Sequence, residues 1–176
     1  QGCEGEPLTE AETIRRAIAE YRQEGGRGTI NINTNASLTE TIPSLARAGL
    51  SSIRVSLNSV RSELYTPYFR PSGYSFEDVM ASIRAAKEQG LFVSINYLYF
   101  PGVNDTEEEL EALAELVETT RLDFIQLRNL NLDPELYFQV IPEPRTPAMG
   151  LSNFRKRLKK HFPWLEFGYF NPYLGD

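Results

Sequence analysis

Hydrophobic and polar positions change their spacing repeatedly along the chain. Short runs in which apolar residues are contiguous or alternate with polar residues predict β-strands. These runs lie at 28–36, 52–59, 91–100, 123–130 and 164–170. Apolar residues recur with helical spacing between them, at 12–23, 40–49, 76–90, 106–118 and 152–162. Strand followed by helix, repeated along one chain, predicts an α/β fold with a parallel sheet.

Residues at the ends of the predicted helices fit this arrangement. Glycine is common just after a helix. Glycines stand at three of these positions, Gly25, Gly49 and Gly90. Thr106 and Glu109 have the spacing of a capping box, which predicts the start of the fourth helix.

The segment PEPRTPAMG, residues 142–150, contains three prolines and is predicted to be a loop. No linker or internal repeat divides the chain. We therefore expect a single domain over residues 1–176, in which residues 142–176 form a C-terminal extension of loop, helix and strand.

Each of the four internal strands has one apolar and one polar face when its residues are assigned alternately to the two sides. The polar faces carry Asn31, Asn33 and Asn35, then Arg54, Ser56 and Asn58, then Ser94 and Asn96, then Gln126 and Arg128. A doubly wound sheet is covered on both faces and has near-continuous apolar strands, whereas a barrel has helices outside only. The pattern favours a partial (β/α) barrel whose hollow holds water or a polar ligand. An open sheet with its polar face in solvent is the alternative.

Charge and hydropathy limit the kind of partner. Eighteen basic and 24 acidic side chains give a net charge of −6, which disfavours a nucleic-acid groove or an anionic membrane surface. No apolar run reaches the roughly 18 residues that span a bilayer. We expect a cytoplasmic protein with a small-molecule ligand, no nucleic acid and no membrane.

The polar hollow lacks residues that perform catalysis unaided. No lysine lies on a predicted strand, so a Schiff base has no nucleophile there. His161, the only histidine, belongs to a basic helix that we expect to be solvated. Cys3, the only cysteine, is expected to be a small buried side chain and cannot form an internal disulfide. A bound cofactor is therefore expected to supply the chemistry.

Four motifs occur in order at the ends of consecutive predicted strands. They are GCEGEPL at 2–8, NTNAS at 33–37, VSLNS at 55–59 and YLYFPGVND at 97–105. Their order and spacing resemble the successive motifs of radical S-adenosylmethionine (SAM) enzymes, and the resemblance extends to about Pro134. It implies a partial barrel, SAM and a [4Fe–4S] cluster as cofactors, and reductive cleavage of SAM followed by hydrogen abstraction from an unidentified substrate.

The resemblance also implies roles for individual residues. Gly5, Glu6 and Pro7 match a Gly-Gly-Glu-Pro turn that receives the ammonium group of SAM, although Glu4 stands where the family usually has glycine. The polar pair Ser56 and Asn58 matches residues that meet the ribose and carboxylate of SAM.

Further candidate residues lie at the same carboxyl ends of the predicted strands. Thr34 and Asn35 match a Thr-Asn-Gly turn whose third residue is Ala36 here, and Asn35 is expected to reach the methionine end of SAM. Asn96, on the polar face of the third strand, is a further candidate cofactor contact. Arg128 is expected to face inward and to pair with a carboxylate of cofactor or substrate.

Family members hold the cluster with three cysteines spaced Cys-x3-Cys-x2-Cys, in the loop after their first strand. This spacing is expected upstream of Gln1, since Cys3 alone cannot hold a cluster. The resemblance thus implies a fragment that is truncated at its N-terminus and inactive alone. Unpaired strand edges seek partners, so an exposed barrel edge predicts self-association.

Two other functions remain compatible with the residues. One is a non-catalytic α/β binding module with a polar cleft, and the other is a barrel hydrolase or isomerase that uses Glu6 with an added metal. The aromatic residues Tyr65, Tyr68 and Phe69 either line a substrate entrance or form a packing plug.

Overall fold

A computed structural model describes residues 5–130, 133–144, 146–169 and 172–174. Five parallel strands form one sheet in chain order, β1-β2-β3-β4-β5. The strands are β1 (Asn31–Thr34), β2 (Ser52–Leu57), β3 (Phe92–Tyr99), β4 (Phe124–Asn129) and β5 (Glu166–Gly168). The predicted α/β fold with parallel strands is confirmed, with strands shorter than the apolar runs. Cys3 and residue 170 lie outside the described residues.

Seven α-helices connect and flank the strands in the described part of the chain. They are α1 (Ala11–Gln23), α2 (Ile42–Ala48), α3 (Ser62–Phe69), α4 (Phe76–Glu88), α5 (Glu107–Thr120), α6 (Pro134–Phe138) and α7 (Leu151–His161). Short 3-10 helices occupy Pro7–Glu10 and Thr39–Thr41. The five predicted helices are present, and α3 and α6 are additional.

The helices pack against the apolar face of the sheet. Its strand residues are buried in the main core, at Ile32, Ile53, Val55, Leu57, Val93, Ile95 and Ile125. The C-terminal segment joins the same core, since Phe154 and Leu158 of α7 are buried there and β5 pairs with β4.

The polar face has a graded exposure. Asn33 is exposed and Ser56 and Asn96 are half-buried, whereas Ser94 and Gln126 are fully buried. Register places Ser56 beside Asn96, and Asn96 beside Gln126. Polar side chains of three neighbouring strands therefore form one row across the sheet.

Aromatic and aliphatic side chains form a second cluster beyond the carboxyl ends of β2, β3 and β4. Its buried members are Leu64, Val103, Tyr137 and Ile141, and Tyr68 and Phe100 are among the side chains packed on them. Tyr65 instead lies fully buried in the main core, so the packing interpretation holds for this residue.

The predicted capping box is only half formed. Thr106 Oγ1 accepts a hydrogen bond from the backbone N–H of Glu109 at 3.2 Å, as expected. The Glu109 carboxylate, in contrast, does not return to the helix start but turns inward to Ser59, Val60 and Tyr97. The prediction for this side chain is therefore wrong.

Candidate functional site

The carboxylate of Glu6 lies at the carboxyl end of β1, where protein donors hold it in place. Its Oε1 accepts from Leu8 N at 3.0 Å and from Thr34 Oγ1, and its Oε2 accepts from Asn35 N at 2.7 Å. A carboxylate has about four acceptor positions. The described donors fill three of them, so Oε2 can still accept from a ligand.

The turn that carries Glu6 has a backbone suited to this role. Gly5 has a φ of 94°, which a side chain would strain. Glu6 is the N-cap of the short 3-10 helix, and Pro7 occupies its first position, where its fixed φ is favourable. The glycine and the proline thus fix the direction in which the carboxylate projects.

The turn after β1 completes this part of the site. Thr34 Oγ1 donates to Glu6 and accepts from Ala36 N at 2.8 Å. Asn35 Oδ1 accepts from Ser37 N at 3.0 Å, so its side chain stabilises its own turn. Ala36 has a φ of 58°, in the left-handed region that favours glycine, which agrees with the glycine that the resembled motif has at this position.

Two adjoining clefts open at this mouth of the sheet. The first, of about 440 Å³, is lined by Gly5, Glu6, Pro7, Asn33, Thr34, Asn35, Ser56, Phe69 and Tyr74. The second, of about 380 Å³, is lined by Ser56, Leu57, Asn58, Tyr68, Phe69, Asn96, Leu98, Arg128 and Asn129. All nine sequence-predicted cofactor residues line one of these clefts. Ser56 and Phe69 line both, so the clefts meet over the end of β2.

Asn58 differs from the other candidates because its side chain is largely used by the protein. It is 1% exposed, and its Nδ2 donates to Leu64 O at 2.8 Å. Its Oδ1 finds no hydrogen-bond partner among the described residues. Ser56, which is half-buried, is the more accessible of the pair at the end of β2.

Positive charge lies across the polar face. Arg128 on β4 is exposed, and its Nε donates to Asn96 Oδ1 at 3.2 Å. Burial, and then the like charge of Arg128, lower the pKa of Arg54 on β2. This second guanidinium therefore lies within electrostatic reach of the first.

A buried hydrogen-bond network stands behind the end of β2. Ser59 Oγ donates to both oxygens of Glu109 at 2.7 and 2.9 Å, Val60 N donates at 2.9 Å, and Tyr97 OH donates as well. Burial raises the pKa of Glu109 despite these donors. Asn104 adds a bond from its Nδ2 to Asn58 O. The only sequence signal at Glu109 was its helix-start spacing.

The described residues contain no group of three or more His, Cys, Asp or Glu side chains that could hold a metal ion. Nor does any helix in this part of the chain have the length and apolar character needed to cross a membrane. The chemistry available at the mouth is that of an anchored carboxylate, hydroxyls, amides and guanidinium groups. Such groups suit a polar ligand that carries both an ammonium and an acidic group.

The fold and these clefts together define an α/β domain of the partial-barrel type with a polar site at the carboxyl ends of its strands. The family model of the radical SAM superfamily matches residues 3–117, more than half of the chain. The chain therefore belongs to the radical SAM superfamily, whose members use SAM and a [4Fe–4S] cluster.

Sequence relatives share this region. Molybdenum cofactor biosynthesis protein 1 of Bos taurus is 36% identical over 121 residues, which cover 68% of this chain and 18% of that protein. GTP 3',8-cyclase of Rhodobacter capsulatus is 32% identical over 128 residues, which cover 70% of this chain and 38% of that enzyme. The chain thus spans less than two fifths of the length of these relatives.

A solved structure shares the fold. The crystal structure of a domain of pyruvate-formate lyase-activating enzyme from Bacteroides vulgatus superimposes with a TM-score of 0.66 at 18% identity. The match covers 94% of this chain and 96% of that domain. The predicted partial barrel of the radical SAM type is therefore confirmed.

Proposed function

We propose that the intact protein is a radical SAM enzyme that cleaves SAM reductively and removes a hydrogen atom from a substrate. The observation that carries this proposal is the Glu6 carboxylate. It is anchored by three protein donors, keeps an acceptor position on Oε2 and lines a polar cleft. An ammonium group is the complementary partner for such an oxygen.

The residues of the chain have distinct tasks in this proposal. Glu6 binds the ammonium of SAM, while Gly5 and Pro7 shape the turn and Thr34 orients the carboxylate. Asn35 lines the same cleft, where it borders the methionine part of SAM in this proposal.

The ribose and carboxylate of SAM then extend from Glu6 toward the end of β2. Ser56 links the two clefts and is placed to meet them, with Asn58 and Asn96 farther along the second cleft.

The [4Fe–4S] cluster requires ligands of another kind. When bound, it supplies the electron for cleavage of SAM, and it is held by three thiolates in the resembled family. One cysteine among 176 residues does not fit that requirement. We therefore propose that the cluster ligands lie outside these residues.

The test compares Glu6→Gln with wild type in the full-length protein with its cluster. Loss of a charge-assisted hydrogen bond of about 1.5–3 kcal/mol should weaken SAM binding by about 10- to 150-fold, measured by calorimetry. Binding of 5'-deoxyadenosine, which lacks the methionine part of SAM and its ammonium group, should be unchanged. Glu10→Gln, at an exposed carboxylate of the same short helix, is the matched control. Equal SAM affinity in the Glu6 variant and wild type would contradict the proposal.

A further inference from the structure

Arg128 lies at the rim of the second cleft and has hydrogen-bond donors that no described residue uses. Its Nε is oriented by Asn96 Oδ1 at 3.2 Å. No described residue accepts from its two terminal Nη groups. A guanidinium has five N–H donors in a fixed plane, so four of them have no acceptor among the described residues.

The second cleft has the lining of a site for a small anion with an apolar part. None of its lining residues is acidic, and its volume of about 380 Å³ suits a small molecule. Tyr68, Phe69 and Leu98 form an apolar wall opposite the polar end of β2. Guanidinium groups bind carboxylate and phosphate oxygens in bidentate fashion.

SAM bound at Glu6 cannot supply that anionic group. Its ammonium and carboxylate are attached to the same carbon atom, so the carboxylate lies near Glu6, between the ends of β1 and β2. Arg128 belongs to β4, and its hydrogen bond to Asn96 brings it toward β3. Parallel strands are spaced by about 4.8 Å, so even β3 lies about 10 Å along the sheet from β1.

We propose that Arg128, held by Asn96, binds a carboxylate or phosphate group of the substrate rather than the carboxylate of SAM. The inference rests on the proposed function, because it takes SAM as the occupant of the Glu6 cleft. It makes the substrate a small oxyanion whose apolar part lies against Tyr68, Phe69 and Leu98.

The first measurement is the affinity for SAM in the full-length protein with its cluster. Arg128→Gln should leave this affinity within about twofold of wild type, whereas Glu6→Gln should lower it by about 10- to 150-fold. If Arg128→Gln weakens SAM binding as much as Glu6→Gln does, Arg128 serves the cofactor and the inference is wrong, while the proposed function stands. If wild type does not bind SAM, the proposed function itself fails.

The second measurement uses benzoate and phenyl phosphate as probes, titrated into the SAM-bound protein. At least one probe should bind, and Arg128→Gln should weaken it by about 10- to 150-fold; which probe binds distinguishes carboxylate from phosphate recognition. Arg128→Lys should retain part of the affinity, since it keeps the charge and loses the bidentate geometry. Arg84→Gln, at an exposed arginine on α4, should have no effect. Absence of binding by both probes, or binding that is insensitive to Arg128, would overturn the inference.

Discussion

Glu109 is a carboxylate that is fully buried and that no described cation contacts directly. Hydrogen bonds from Ser59, Val60 and Tyr97 stabilise its ionised form, while burial opposes that form and raises its pKa overall. Two of these donors directly follow Asn58, at the end of β2. Glu109 therefore links α5 to the strand end that borders both clefts.

The raised pKa of Glu109 predicts a decline of stability with rising pH. Below the ordinary glutamate value of 4.5, the folded and unfolded chains both hold the proton. Above it the unfolded chain loses the proton first, so the free energy of unfolding falls by up to about 1.4 kcal/mol per pH unit until the folded pKa is passed. Glu109→Gln should lack this decline.

Urea unfolding of both proteins at a series of pH values between 4 and 8 measures the difference. Glu111→Gln, at an exposed neighbour on the same helix, should retain the wild-type profile. Parallel profiles for wild type and Glu109→Gln would show that the burial of Glu109 does not shift its titration.

The contrast between Glu6 and Glu109 indicates what the sequence can reveal of the site. Glu6 was predicted because its short motif, with Gly5 and Pro7 beside it, resembles a turn of a known family, and these two residues do form that turn. Glu109 had an equally local signature, the spacing of a capping box, but its side chain bonds to Ser59, 50 residues away. Long-range hydrogen bonds of this kind leave no local pattern, so the local interpretation was wrong.

At the scale of elements, the loop between β3 and α5 connects several parts of the fold. Asp105 is fully buried and accepts from Gly102 N at 2.6 Å and from Tyr99 OH and Gly150 N at 2.8 Å each. Burial and the Asp105 carboxylate raise the pKa of Tyr99 to about 12, so the tyrosine remains a donor. Asp105 thereby ties the end of β3 to the start of α7.

Asp105→Asn should lower the free energy of unfolding by about 1–3 kcal/mol, because an amide nitrogen cannot accept the hydrogen bonds that one carboxylate oxygen now receives. Urea denaturation measures the change. The same substitution at the exposed N-cap of α6, Asp133→Asn, is the control and should be nearly neutral, since both residues cap helices well. Similar losses at the two positions would contradict this role of Asp105.

The sequence predicted the strands of the sheet but missed two short helices, and each outcome has a physical reason. Period-two alternation identified all internal strands, because one face of each is buried under helices. The predicted runs are longer than the strands; at β3, for example, apolar side chains continue on both sides of the strand, at Leu91 and Phe100. Helix α3 was missed because Pro67 lies inside it, and α6 because it has five residues and begins at Pro134. Such short helices depend on tertiary packing more than on their own sequence.

In the whole molecule, β1 and β5 are the two edges of the sheet that the described residues form. In a parallel ladder, alternate residues bond to the same neighbour. Ile30 O accepts from Ser51 N and Ser52 N, so Ile30 faces β2 and the N–H group of Asn33 faces away from β2. The next such group, on Asn35, is already bonded to Glu6.

The backbone N–H of Asn33, which points away from β2, predicts that the chain of residues 1–176 associates with itself through β1, because unpaired strand edges add further strands. Light scattering over a range of protein concentrations should therefore give an apparent mass above that of the monomer. Asn33→Pro removes a donor from the free edge and leaves the bonds to β2 intact, so it should reduce the association. Asn33→Ala retains the backbone N–H and should associate as wild type does. A wild-type chain that remains monomeric at all concentrations, or a proline variant that associates equally well, would exclude β1 as the contact.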